Sequence, residues 1–152
     1  MKKLLLYMTV QLFFLNSSTA QNEPNEVLVT TFLAAVKNHD AETFRKVLDE
    51  NIEWIQPGNN LTSGTKKGLV EVLAMSKAIN VATSKTFQLV DFKIIATGTN
   101  EVLCQLHFKA ARQAGAVLDV INYDVYSIEN GKIITAKIYS ADIKQEDYFY
   151  GK

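Results

Sequence analysis

Cysteine is almost missing from this chain. Cys104 is the only one in 152 residues, so no internal disulfide can form, and cysteine and histidine nowhere cluster at metal-ligand spacing. An excess of one charge is missing too. Sixteen basic and sixteen acidic residues cancel, the basic ones are scattered, and the Lys66-Lys67 pair reads as a solvated helix start. Nothing here draws the chain electrostatically to nucleic acid. No apolar run reaches the roughly 20 residues that a bilayer span needs. There is no internal repeat and no low-complexity linker. At 47% hydrophobic residues, what remains is enough for one globular domain with a real core.

The one apolar run that stands out lies at the start. Lys2 and Lys3 precede Leu4 to Leu15, and Ser18-Thr19-Ala20 follows with small residues. This is the layout of a secretory leader of bacterial type over residues 1–20, with a membrane anchor as the alternative. Cleavage before Gln21 would leave a single domain over residues 21–152, secreted or periplasmic and free of the membrane. Because Lys2 and Lys3 are two of the 16 basic residues set against 16 acidic ones, that domain has a formal charge of −2. No cysteine follows the expected cut, which argues against a lipid anchor. Asn60-Leu61-Thr62 matches a glycosylation sequon, to which a bacterial-type leader gives little meaning.

Helices come first and strands afterwards. Val27, Phe32, Ala35 and Val36 recur at near-helical spacing within Glu26 to Asn38. Asn38-His39-Asp40 breaks that pattern, and Asp40 suits the N-cap of a short helix through Leu48 with Phe44, Val47 and Leu48 inward. A strand over Asn51 to Gln56 ends at Pro57-Gly58. Thr65 is the expected cap of a third helix to about Ile79, with Val70, Leu73 and Ile79 on its core face. From there the texture turns to strands: Thr86–Thr97, Glu101–Ala111, Ala116–Glu129 and Lys132–Asp142. Asn130-Gly131 between the last two is a strong hairpin signal. Helices followed by an antiparallel meander define an α+β domain rather than a doubly wound one.

Two stretches carry the candidate site. Trp54 and Gln56 sit two apart on one strand and face one side, as a pocket wall requires. Trp54 is equally able to serve as core, whereas an amide buried at Gln56 needs a partner. One face of the Ala116–Glu129 strand carries Leu118, Val120, Asn122, Asp124, Tyr126 and Ile128. Apolar ends with three polar groups between them suit a concave ligand wall. Desolvation of Asp124 raises its pKa and leaves it able to give or take a proton; the alternative is a carboxyl that only satisfies its neighbours. Tyr126 offers its phenol either to a ligand or to solvent at the rim. Cys104 shares its phase with Leu106 and Phe108 and reads as a buried, inert thiol. His107, in phase with Gln105 and Lys109, belongs to the outer face, and His39 to an exposed turn.

In their order, Phe32 to Asp40, the Trp54/Pro57 strand end, Ser63-Gly64-Thr65 with Gly68, and Asp124 before Gly131-Lys132-Ile133 resemble the nuclear transport factor 2-like superfamily, in its SnoaL-like and ketosteroid-isomerase-like branch. The resemblance spans nearly the whole mature chain. It implies a strongly curved antiparallel sheet wrapped around three helices, a conical apolar pocket, and a homodimer formed through the outer sheet face. It also implies pocket positions for Phe32 and, on the last strand, for Ser140 in phase with Ile134, Ala136 and Ile138. Steroid isomerisation needs a tyrosine, a basic aspartate and a second carboxylic acid. The first falls on Phe32 and the second on Gln56, so only Asp124 matches, and isomerase activity of that type is not expected.

The expected ligand set is therefore Phe32, Trp54, Gln56, Asn122, Asp124, Tyr126 and Ser140, with Asp124 as the catalytic candidate, Asp142 at the mouth, and no cofactor or metal. Three functions fit: a secreted domain binding a small, mainly apolar molecule, an isomerase-, cyclase- or hydrolase-like enzyme using Asp124 as acid or base, or an interaction protein whose cone is filled. The tail from Gln145 to Lys152, with Tyr148, Phe149 and Tyr150, has three possible fates: a lid, a dimer contact or a disordered end.

Overall fold

The computed structural model describes the backbone of residues 19–112 and 115–151. Most of the expected leader therefore lies outside the described residues. Among them, no helix is long and apolar enough to cross a membrane. The elements run α1 (Thr19–Asn38), α2 (Ala41–Val47), β1 (Leu48–Gln56), β2 (Gly64–Lys67), α3 (Leu69–Ala82), β3 (Gln88–Thr97), β4 (Glu101–Ala111), β5 (Val117–Glu129), β6 (Lys132–Ser140) and α4 (Ile143–Tyr150). One six-stranded sheet in the order β2-β1-β6-β5-β4-β3 carries them, antiparallel except where β1 meets β6. This is the expected α+β cone, with a fourth helix in addition to the three foreseen.

The sheet curls because its ladders are interrupted. Register shifts fall between Leu89 and Asp91 and between Ile94 and Ala96 in β3, at Ser127/Ile128 in β5, and between Leu48 and Glu53 in β1. Extra residues on one strand of a pair bend it and increase its twist. The β4–β5 ladder runs without interruption from Glu101↔Ser127 to Ala111↔Val117. The concave face this produces is filled by α1 and α3. Val29, Phe32, Leu33 and Ala35 of α1 are buried, as are Val72 and Met75 of α3.

Several expectations need correction. Val27 is 65% exposed and Val70 80% exposed. Val29 and Val72 are buried instead, while Phe32 and Ala35 hold the inward positions read for them. Thr65 caps no helix: it pairs with Ile55 in the short edge strand β2, and α3 is capped instead by Gly68 at φ 82°. The Gly68 amide donates to Ile52 O at 2.7 Å, which holds the start of α3 against β1. On β6 the buried residue is Ile133 rather than Ile134, because the shift at Ser127/Ile128 moves the phase by one. Asp40 does cap α2, accepting from the amides of Glu42 and Thr43.

The tail is an ordered helix. Asp142 accepts from the Gln145 amide and caps α4, so it does not sit at a pocket mouth. Glu146, Phe149 and Tyr150 are buried, while Tyr148 is exposed. Asp147 then ties α4 to the β1–β2 loop: its Oδ1 accepts from the Asn59 amide at 2.8 Å and from Asn60 Nδ2 at 2.7 Å. Asn60 Oδ1 accepts in turn from the Thr62 amide and hydroxyl. The sequon asparagine is thus a structural tie. Gly58, at φ +92°, lies so close that an added Cβ would be 2.5 Å from Asp147 Oδ1 and 2.8 Å from Ile143 Cδ1.

Gly131, in the Asn130-Gly131 hairpin at φ 71°, has nothing within 4 Å of an added Cβ. In chemical denaturation, Gly131→Ala should cost about 1 kcal/mol from left-handed strain alone. Gly58→Ala should cost about 2 to 4 kcal/mol, because the clash adds to the strain. Equal losses at the two positions would mean that α4 does not press on this loop.

Candidate functional site

A cavity of about 100 Å³ lies inside the cone. At roughly 10–15 Å³ for each water-sized group it has room for about one ring and a short substituent. Its apolar walls come from Phe32, Leu33 and Val36 of α1, Met75 and Ile79 of α3, Leu106 and Phe108 of β4, and Leu118 and Val120 of β5. A second depression, of about 180 Å³, shares Val36, Phe44, Ser76, Ile79 and Phe87 with it and extends toward His39 and Asp40.

β5 contributes most of the polar floor. Its alternate residues Leu118, Val120, Asn122, Asp124, Tyr126 and Ile128 are all buried, in the phase read from the sequence. Phe32, Trp54, Gln56, Asn122, Asp124 and Tyr126 all line the cavity. Ser140 does not. Its hydroxyl accepts from the Asp142 amide at 3.2 Å.

Phe32 replaces a hydroxyl donor with an aromatic hub. Its ring centroid is 5.3 Å from that of Tyr126, 5.4 Å from Phe44 and 6.3 Å from Trp54. Trp54 Nε1 donates to Gln56 Oε1 at 3.2 Å, so the two residues of the β1 wall satisfy each other. The Tyr126 hydroxyl faces neither solvent nor an open site: it donates to Asp124 Oδ2 at 2.9 Å. Cys104 is fully buried, its thiol pushed up to about 12 by desolvation and by Asp124.

Asp124 is buried, and burial pushes its carboxyl up to about 7. The hydrogen bond from Tyr126 opposes that shift, and the nearby Glu146 carboxyl adds to it. Glu146 is raised by its own desolvation and pulled back by hydrogen bonds from Ser140 and Asn122. Asn122 Oδ1, Asp124 Oδ1 and Glu146 Oε2 are buried without a hydrogen-bond partner. The site therefore presents two buried carboxyls and one amide oxygen to an apolar, aromatic cavity. A carboxyl ionising near neutrality can accept a proton from a bound molecule or return one.

Glu146 escaped the sequence reading. Its signal was the Asp142-x-x-Gln145 pattern, which starts a helix, followed by Glu146, Phe149 and Tyr150 at i, i+3 and i+4. His107 does sit on the outer face, where Nε2 is 2.5 Å from Asp119 Oδ1 and Lys109 adds a second contact to Asp119 at 3.0 Å.

Residues 29–136 match the model of the SnoaL-like domain, and the chain belongs to that family. Glu146 lies beyond the matched stretch. Among solved structures, a Xanthomonas campestris protein of unknown function with a cystatin-like fold is 27% identical, with a TM-score of 0.80 over 84% of this chain and 98% of its own. Bal32a, from a soil-derived mobile gene cassette, is also 27% identical, with a TM-score of 0.80 over 86% of this chain and 98% of its own. A candidate SnoaL-like polyketide cyclase from Jannaschia sp. CCS1 shares the fold at 11% identity, with a TM-score of 0.71 over 88% of this chain and 96% of its own. A comparison with curated proteins gave no match.

The raised carboxyl has a consequence for stability. The native state holds the Asp124 proton more tightly than the unfolded chain, in which an aspartate titrates near 3.8. That contribution is complete below about pH 4 and is lost as pH rises toward 7. Thermal midpoints should therefore fall between these values, and Asp124→Asn should flatten most of the fall, leaving the part due to Glu146. A wild-type midpoint that rises across the same window would show that Asp124 ionises freely.

Proposed function

We propose that the domain binds a small, mainly apolar molecule in the cone, with Asp124 at the polar end of the site. The observation that carries this reading is a cavity lined by aromatic and aliphatic side chains whose buried acceptors lack partners of their own. A core that had evolved only to be filled would leave no such oxygens unpaired, since each costs about 1–3 kcal/mol. In this reading residues 1–20 export the domain to the periplasm or the medium. Two copies pair through the outer sheet face, where Ile121, Tyr123, Val125 and Tyr139 are partly exposed.

A second reading makes the domain an enzyme of isomerase, cyclase or hydrolase type, with Asp124 as general acid or base. The carboxyl pushed up to about 7 favours it, because that value suits proton transfer near neutrality. The description of the Jannaschia protein as a candidate polyketide cyclase is in keeping with this reading; the inner cavity, at about 100 Å³, suits a one-ring substrate better than a fused polycycle.

Trp54 is the only tryptophan and lines the cavity, so its emission reports occupancy directly. Protein purified from its native compartment should retain density inside the cone. Val120→Phe, which fills the cavity from β5, should abolish both that density and any ligand-induced change in Trp54 emission. Retained binding in the filled variant would move the site elsewhere. Asp124→Asn separates the two readings: turnover of a bound compound should collapse, by about 100-fold or more, if the carboxyl moves protons. If it only binds, affinity should change by no more than about tenfold.

A further inference from the structure

Resting on that ligand-binding reading, we propose that the cavity takes a primary amine, bound as its ammonium, with an apolar ring. The floor carries unpartnered acceptors and two carboxyls. Asn122 Oδ1, Asp124 Oδ1 and Glu146 Oε2 are unpartnered, and their residues are no more than 4% exposed. Two of the nearest donors are engaged, the Tyr126 hydroxyl on Asp124 and Trp54 Nε1 on Gln56, and the other donors that line the cavity, on Gln56, Ser76 and Tyr150, are uncharged. Among the described residues, no lysine, arginine or histidine lines the cavity. The adjoining depression adds only His39, opposite Asp40.

Three orphaned acceptors with no cation define what an occupant must bring. A carboxylate or phosphate offers only acceptors and, against the ionised carboxyls, would add a third negative charge with no counter-charge. A hydroxyl brings one donor and further acceptor lone pairs. An ammonium brings three donors, no acceptor and the missing positive charge. The walls match the same ion, because Phe32, Trp54 and Tyr126 line the cavity and aromatic rings attract cations. Aromatic walls also accept the ring. The carboxyl that completes the floor, Glu146, lies outside the stretch matched by the SnoaL-like domain, so this charge pattern belongs to the chain's own α4.

Titration of the wild-type protein with benzylamine, benzyl alcohol and sodium benzoate near neutral pH, followed by calorimetry and Trp54 emission, tests this on three ligands of one size. Benzylamine should bind at least ~10-fold more tightly than benzyl alcohol, and benzoate should not bind detectably. Asp124→Asn and Glu146→Gln, which keep the shape, should each weaken benzylamine by about tenfold while leaving benzyl alcohol within about threefold. Benzoate or benzyl alcohol binding as well as benzylamine would overturn the amine assignment and leave the ligand-binding reading standing. Failure of all three to bind would overturn both. The wild-type series decides the question even if a variant does not fold.

Discussion

Strand β5 is hydrogen-bonded on both edges along nearly all its length, to β4 and to β6, and its side-chain alternation cannot slip without breaking both ladders. Six inward positions in succession are buried on one face, and the cone is built around them. The bulges in β3 and at Ser127/Ile128 bend the neighbouring strands across β5 instead of continuing flat beside it. Curvature opens a concavity that two helices nearly fill. What they leave is the cavity, and the fixed phase of β5 decides that its floor is polar.

A polar floor is costly. Asp124 and Glu146 are carboxyls taken out of water, each raised first by its own burial and Asp124 further by Glu146, and only part of their hydrogen-bonding capacity is met inside the protein. Apolar residues of similar volume at those positions would make a more stable domain. Groups held at such expense in a cleft mark a functional site more often than a structural one. The surrounding framework carries the load elsewhere. Fully buried Phe32, Ile52, Leu106 and Ile133 form a continuous apolar cluster between α1 and the sheet, and Asp147 fastens the helix that brings Glu146 into place.

The readable parts of the fold were those governed by local periodicity. On β4 and β5, alternation alone placed Cys104, Leu106, Asn122, Asp124 and Tyr126 inward and His107 outward. Asn130-Gly131 marked its hairpin, since both residues need positive φ and Asn and Gly tolerate it. The errors arose where a distant partner decides. Ser63-Gly64-Thr65 has the look of a helix cap, yet the edge of β1 recruits Thr65 into a strand. Ile133 replaces Ile134 because a bulge depends on how two strands meet and leaves no trace in either one. Glu146 was hidden because a charged residue in an aromatic tail reads as a solubilising one until the helix is docked.

The lone thiol gives the molecule a clock of its own. Cys104 is wholly buried beside Asp124 on the neighbouring strand, and its thiol is pushed up to about 12, so almost none of it is thiolate in the closed state. An alkylating reagent can reach it only when the sheet parts from α1. Alkylation therefore advances at the pace of core opening and passes over the fraying of ends and loops. Anything lodged in the cone closes the same door, and would slow that clock in proportion to how firmly it sits.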